Sequence, residues 1–286
     1  MTAQTTLIVQ GGEPPSPDAL THIAAISRAS SVYPISTTSF RLPHAQKKPG
    51  IVTAVAEYAR SAQLDVFWRD DNKMRLQNFR AFISDMDSTM ITIECIDELA
   101  DYHGVKAEVA AITERAMQGE LNFAQSLTAR VALLRGLSAS AVTAVIRERM
   151  RPSPGAEKLL KGMRAAGIYT VLVSGGFTPF TEHLQNWLGF DEAHSNTFEV
   201  VDGQLTGRLT GTIMDAQAKA RQLVITTRKL HCARRQIIAM GDGANDIPML
   251  RASGLGIAWR AKPALRTVAD ATLDFAPLDG VLNFFV

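Results

Sequence analysis

The sequence predicts an α/β protein: a mostly parallel sheet, interrupted just after its first strand by a helical cap and preceded by a small α+β domain. Three observations carry this. Apolar runs at residues 81–83, 168–173 and 235–240 each stop abruptly in a polar or glycine-rich loop, as strands of a sheet covered on both faces do. Residues 94–150, between the first run and the second, carry only helical periodicity. Residues 1–75 alternate strand-like and helix-like stretches, and 286 residues exceed the usual size of one domain. The expected division is 1–75 for the small domain, 76–93 with 151–286 for the core, and 94–150 for the cap.

In the small domain, residues 5–10 read as a strand, broken by Gly11-Gly12 and by Pro14, Pro15 and Pro17. Asp18 is placed to cap a helix running to about residue 29, with Leu20, Ile23, Ala24 and Ile26 as its apolar stripe. Residues 36–42 form a second strand, 51–61 a second helix after Pro49-Gly50, and 64–68 a third strand. This β-α-β-α-β order gives a small open sandwich without a catalytic cluster, suited to an interface, regulatory or supporting role. The polar turn Asp70-Asp71-Asn72-Lys73 marks its end.

Beyond Met90 the period becomes helical. Ile91, Cys95, Ile96, Leu99 and Ala100 open the cap, and helices follow over 105–117, 122–134 and 138–150, separated by Gly119 and Gly136. The punctuated stretch Arg151-Pro152-Ser153-Pro154-Gly155 returns the chain to the core. A helix over 156–166 leads into the apolar strand 168–173, which ends in Ser174-Gly175-Gly176. Asp202-Gly203 joins 198–201 to 204–207 as a hairpin. A helix over 216–225 carries Lys219, and the strand at 235–240 precedes Gly241-Asp242-Gly243-Ala244-Asn245-Asp246. Short strands at 255–258 and 271–273, with a helix near 263–268, complete the sheet. Trp187 is expected to pack behind it.

Composition removes several function classes. A hydrophobic share of 46% with 20% charged residues describes an ordinary globular chain, and a net charge of +2 is too small for a nucleic-acid surface. Two distant cysteines, Cys95 and Cys232, fit free thiols in a reducing compartment, not a disulfide framework or a zinc site. The six histidines are dispersed. No signal peptide or membrane span is read, so the expected location is cytoplasmic.

The chemistry gathers at three strand ends. In Ser84-Asp85-Met86-Asp87-Ser88-Thr89, two aspartates around Met86 follow an apolar strand at once. With a divalent ion present, one carboxylate both ligates and attacks while the other handles a proton, and Mg²⁺ favours such oxygen ligands. The plainer alternative is an Asx turn capping a helix that starts near Ile91.

Asp85-Met86-Asp87-Ser88-Thr89, then Ser174-Gly175-Gly176-Phe177, then Lys219, then Gly241-Asp242-Gly243-Ala244-Asn245-Asp246 together resemble the haloacid dehalogenase-like hydrolases. That pattern is DxDx(T/V), Ser or Thr, Lys, and GDxxxD, matched here in order from about Phe79 onward. The resemblance is strongest to the phosphoserine-hydrolysing branch; residues 1–75 are similar, less distinctly, to a small ACT-type domain. It implies a Rossmann-like core, Asp85 as nucleophile and Asp87 as general acid/base. It also implies Mg²⁺ held by Asp85, the Asp87 main-chain carbonyl and Asp242. Asp246 would support this shell through ligand waters or a hydrogen bond to Lys219.

Phosphoryl transfer needs fixed donors, which the resemblance places at Ser174, the Gly175 amide, Lys219 and Asn245. In the cap it assigns Glu94 to a substrate ammonium, Arg130 to a substrate carboxylate, and Met117 and Phe123 to an apolar wall. Ser88 and Thr89 would donate to phosphate or cap the following helix. The implied substrate is the small molecule O-phospho-L-serine and the implied role the last step of serine biosynthesis, with a homodimer left open. The rivals are hydrolysis of another small phosphomonoester, phosphoryl transfer to an alcohol, and an inactive sensor or scaffold on the same fold.

Overall fold

The computed structural model describes residues 5–71 and 74–285; Asn72 and Lys73 of the expected turn lie outside the described residues. Strand β1 (Thr5–Gln10) is apolar and buried over Leu7–Val9 and becomes a central strand of a four-stranded antiparallel sheet. Helix α1 spans Pro17–Ser27. Its cap is Ser16, whose side chain accepts the Ala19 N–H at 3.1 Å, so Asp18 falls in the first turn and does not cap. It stops two residues before the expected end because Arg28 adopts a left-handed conformation with φ 52°. An unforeseen two-residue strand, β2 (Tyr33–Pro34), pairs with β3 (Ser39–Leu42). Helix α2 (Pro49–Ser61) begins at Pro49, which suits a first helical position because it has no N–H to leave unpaired. Strand β4 (Asp65–Asp70) completes the sheet in the order β2-β3-β1-β4.

The larger sheet begins with β5 (Ala81–Ser84), where every residue is buried. The insertion follows as α3 (Cys95–His103), α4 (Lys106–Met117), α5 (Phe123–Ala132) and α6 (Ala139–Arg149). Asn122 caps α5 through a reciprocal pair with Gln125. Helix α7 (Ala156–Ala165) then leads to β6, which runs from Tyr169 through Phe177 rather than ending before Ser174. Next come α8 (Thr178–Leu188), β7 (Glu192–Val201), β8 (Gln204–Thr210) and α9 (Ala216–Lys229). The chain ends with β9 (Ile237–Gly241), α10 (Ile247–Ala252), β10 (Leu255–Trp259), α11 (Pro263–Arg266) and β11 (Ala271–Leu273).

The sheet order is β11-β10-β9-β5-β6-β7-β8, parallel up to β7, with β8 antiparallel at the edge. Residues alternate between its faces. Phe82 and Leu172 pack with α7 and α8, whereas Ile83, Val171 and Ala239 pack with Leu223 of α9 and Met249 of α10. Chain order reverses between β5 and β9, and a crevice at such a switch point is where open α/β sheets place ligands.

The small sheet is tied to the core by Asp65, whose buried carboxylate accepts the backbone N–H groups of Asp274, Phe275 and Ala276 at 2.8, 3.0 and 2.8 Å. Phe67 stacks on Phe284 at 4.2 Å between ring centroids. Trp187 does not pack behind the large sheet. It is half exposed on α8, edge-on to His183, because its position in the helix turns it away from the buried stripe Phe180, Leu184 and Leu188.

Candidate active site

The end of β5 delivers Asp85 into the crevice, where it is 3% exposed. Its Oδ1 accepts the Met86 N–H and pairs with Lys219 Nζ at 2.7 Å. Lys219 stands one turn into α9 and also donates to Asp246 Oδ1 at 2.8 Å. Burial alone would lower its pKa; Asp246 and Asp85 outweigh that and hold it above the ordinary lysine value. Of the two supports expected for Asp246, the hydrogen bond to Lys219 is present.

Asp85, Asp242 and Asp246 each bring a carboxylate oxygen within 4.8 Å of the others, all buried. Three carboxylates against one ammonium leave two negative charges uncompensated, a donor set suited to a divalent cation. The expected metal set had Asp246 in support; in the fold it belongs to the cluster itself. The Asp87 side chain is not among these clustered carboxylates; the part expected of Asp87 is its main-chain carbonyl. The carboxyls respond to the crowding. Burial and Asp246 push Asp85 well up against the pull of Lys219, and burial, Asp246 and Glu94 bring Asp242 to about 6.

Asp87 is held differently. Its Oδ1 accepts the thiol of Cys95 at 2.8 Å, and its Oδ2 would lie 2.9 Å from a Cβ placed on Gly176, so a larger residue there would displace the carboxylate. Burial and Glu94 push its carboxyl up to about 7, against the Cys95 bond. Burial, Asp87 and Glu94 keep the Cys95 thiol above its usual range, so it remains a donor. Sequence reasoning treated Cys95 as a free thiol and a member of the cap's apolar stripe and missed this contact, because its partner is set by the first turn of α3 folding back over the Asp87 loop.

Ser174 is fully buried and accepts the Gly176 N–H at 2.8 Å. Phe123, at the start of α5, stands over Gly175, and a Cβ there would approach its ring to 3.0 Å. Asn245 is half-buried in the short turn after β9. Glu94, at the entrance of α3, accepts the Ser88 hydroxyl at 2.6 Å. Ser88 therefore does not cap the following helix; its backbone is left-handed, φ 53°, and its hydroxyl is directed to Glu94. Thr89 reaches Asp242 Oδ1 at 3.4 Å. The half-buried Arg130 on α5 has its pKa lowered by burial, opposed by the carboxylates of Asp97, Glu94 and Asp87. Met117 is the exception to the expected wall. It is 76% exposed at the last turn of α4, ahead of the turn at Gly119, so the described wall consists of Phe123.

Among the described residues no helix is long and apolar enough to cross a membrane.

Comparison with known proteins agrees with this geometry. The sequence pattern of the haloacid dehalogenase-like hydrolase family matches residues 82–251. A phosphoserine phosphatase from Polaromonas sp. is 47% identical over 215 residues, covering 73% of this chain and 91% of its own. A haloacid dehalogenase family hydrolase from Salmonella enterica serovar Typhi superposes with a TM-score of 0.89 at 30% identity, over 99% of this chain and 98% of its own. A probable phosphoserine phosphatase from Vibrio cholerae gives 0.85 at 33%, over 99% and 86%. With the aspartate cluster at the sheet's switch point, this places the chain in the haloacid dehalogenase-like hydrolase family.

Proposed function

We propose that the protein is a Mg²⁺-dependent phosphoserine phosphatase that hydrolyses O-phospho-L-serine to L-serine and phosphate. The observation that carries this is the buried Asp85–Lys219–Asp246 chain, with Glu94 and Arg130 of the cap both acting electrostatically on the neighbouring Asp87. Curated relatives at 42–47% identity bear that activity in their names, which narrows the reaction within the family.

Asp85 attacks phosphorus, forming an aspartyl-phosphate, while Asp87 gives its proton to the departing serine oxygen. A carboxyl at about 7 holds that proton near neutrality and, once ionised, draws a proton from the water that cleaves the aspartyl-phosphate. Lys219, Ser174 and the Gly175 amide donate to the phosphoryl oxygens, and Asn245 to an oxygen of the substrate. Glu94, braced by Ser88, receives the substrate ammonium, and Arg130 the carboxylate. Phe123 excludes water. Asp85, Asp242 and the Asp87 carbonyl, supported by Asp246, would hold Mg²⁺, which when bound offsets negative charge on the transferring group.

Phosphate release from a panel of small phosphomonoesters, with and without Mg²⁺ and an added alcohol, tests this assignment. Phospho-L-serine should be turned over best and only with the metal. Brisk turnover of another ester with none of phosphoserine, or transfer to the alcohol, would support a rival.

Arg130→Ala is expected to lower kcat/KM for phosphoserine by about 10²-fold, the loss of a two-point carboxylate grip, and to leave p-nitrophenyl phosphate within about threefold. Equal losses on both esters would remove Arg130 from substrate selection.

The raised carboxyls also predict how metal and pH interact. A carboxyl whose folded pKa exceeds its unfolded value of about 4 adds stability fully below that value and loses it as pH rises through the folded one. For Asp242 and Asp87 that loss runs up to about 6 and about 7. The metal-free protein should therefore melt lower at about pH 8 than at about pH 5 on account of these groups, and Mg²⁺ should raise Tm more at the higher pH. An Mg²⁺ effect equal at both, or absent, would count against the cluster as the metal site.

A further inference from the structure

One buried side chain near the site has no part in the chemistry above. Asn196, on β7, is 2% exposed and makes two side-chain hydrogen bonds to main chain. Its Nδ2 donates to the Gly175 carbonyl at 2.8 Å, and its Oδ1 accepts the Met214 N–H at 2.8 Å. Its own carbonyl accepts the Thr178 hydroxyl at 3.0 Å, at the first residue of α8. Met214 immediately precedes Asp215, which caps α9 by accepting the Ala218 N–H at 2.7 Å, and Lys219 follows. One residue thus links the phosphate-facing turn and the start of the lysine-bearing helix through its side-chain amide, and the start of α8 through its own carbonyl.

The turn needs such a restraint. Two consecutive glycines have wide backbone freedom, and a peptide between them can rotate at little steric cost. Regular strand pairing does not supply the restraint, because the β6–β7 register shifts between Val173 and Phe177, the stretch that contains the glycines. Instead the Gly175–Gly176 peptide is held at both ends: its carbonyl by Asn196 and its N–H by Ser174 Oγ. Were that peptide to turn over, a carbonyl oxygen would swing toward the place where phosphoryl charge develops, replacing attraction with repulsion.

We propose that Asn196 is a positioning residue for phosphoryl transfer. It locks the Gly175–Gly176 peptide with its carbonyl away from the phosphate, thereby steadies the adjoining Ser174–Gly175 peptide whose N–H would face the anion, and sets the turn in register with Lys219. This rests on the phosphatase reading and adds to it a group that never touches the substrate.

The test uses the Asn196→Ala and Asn196→Leu variants, the second keeping the branched shape of asparagine in a larger side chain with no hydrogen-bonding group. Orthovanadate probes the phosphate end of the site and L-serine the amino-acid end, both as inhibitors of phosphoserine turnover. In each variant kcat should fall about 30- to 100-fold and the orthovanadate inhibition constant should rise by a similar factor, the scale of misplacing one oxyanion donor. KM and the L-serine inhibition constant should stay within about twofold. A general loosening of the fold would weaken both inhibitors alike, and that result would overturn the proposal, as would orthovanadate inhibition and kcat close to wild type. If one variant does not fold, the other is decisive. A wild-type protein inert toward phosphoserine would defeat the functional reading instead; orthovanadate binding, followed by its effect on Tm, would then still read the clamp.

Discussion

Asp85→Asn is expected to abolish phosphoserine turnover, with kcat reduced by at least about 10⁴-fold, the scale found when a nucleophile is removed from a working constellation. The substitution keeps the shape of a side chain that is 3% exposed, and its amide oxygen still accepts from Met86 and Lys219. What it loses is the charged oxygen that would bond to phosphorus. Burial and Asp246 disfavour charge at this position, so the neutral side chain should leave Tm unchanged or raise it. A folded variant that still hydrolyses phosphoserine briskly would show that Asp85 is not the nucleophile.

Lys219→Met should damage both stability and rate. The ammonium is 1% exposed, within 2.7 Å of Asp85 and 2.8 Å of Asp246. Removing it strands buried carboxylates without their counter-charge, which costs about 3–5 kcal/mol when one partner of such a pair is deleted. Loss of a preorganised donor to the phosphoryl oxygens should cut kcat by a further ~10²- to 10³-fold in the protein that folds. Pairing the change with Asp246→Asn separates the two effects. The double variant should regain part of the stability, since one stranded charge is gone, but none of the rate. Urea denaturation and kcat measured side by side check this; a recovery of rate in the double variant would reduce Lys219 to an electrostatic support.

Much of this site was legible in the sequence because its chemistry is packed into short contiguous motifs at strand ends. The apolar run before Asp85 and the strand before Asp242 each carry their functional group within a few residues of a recognisable sheet edge, and the parallel sheet makes those edges converge. Helical periodicity likewise revealed the insertion, though not which way its side chains face. The family resemblance assigns Met117 to the wall, yet it is exposed at the last turn of α4, where the direction of the side chain is set with the loop that follows. The contacts missed were those between segments distant in sequence. Asn196 meets Gly175 only because β7 lies beside β6, and the thiol of Cys95 meets Asp87 only because α3 folds back over the loop. Ser88 stood within a recognised motif, but its partner Glu94 depends on a left-handed backbone that no periodicity reveals. Local competition explains the smaller differences: Ser16 outcompetes Asp18 as a cap because Pro17 starts the helix directly after it.

The central claim is that phosphorus passes through the carboxylate of Asp85. Rapid acid quenching of the enzyme with phospho-L-serine and Mg²⁺, followed by peptide mass analysis, tests it most directly. A phosphoryl group on the peptide that contains Asp85, labile to hydroxylamine and absent from Asp85→Asn, is the predicted result. A phosphoryl group carried on a serine or histidine during active turnover would contradict the account.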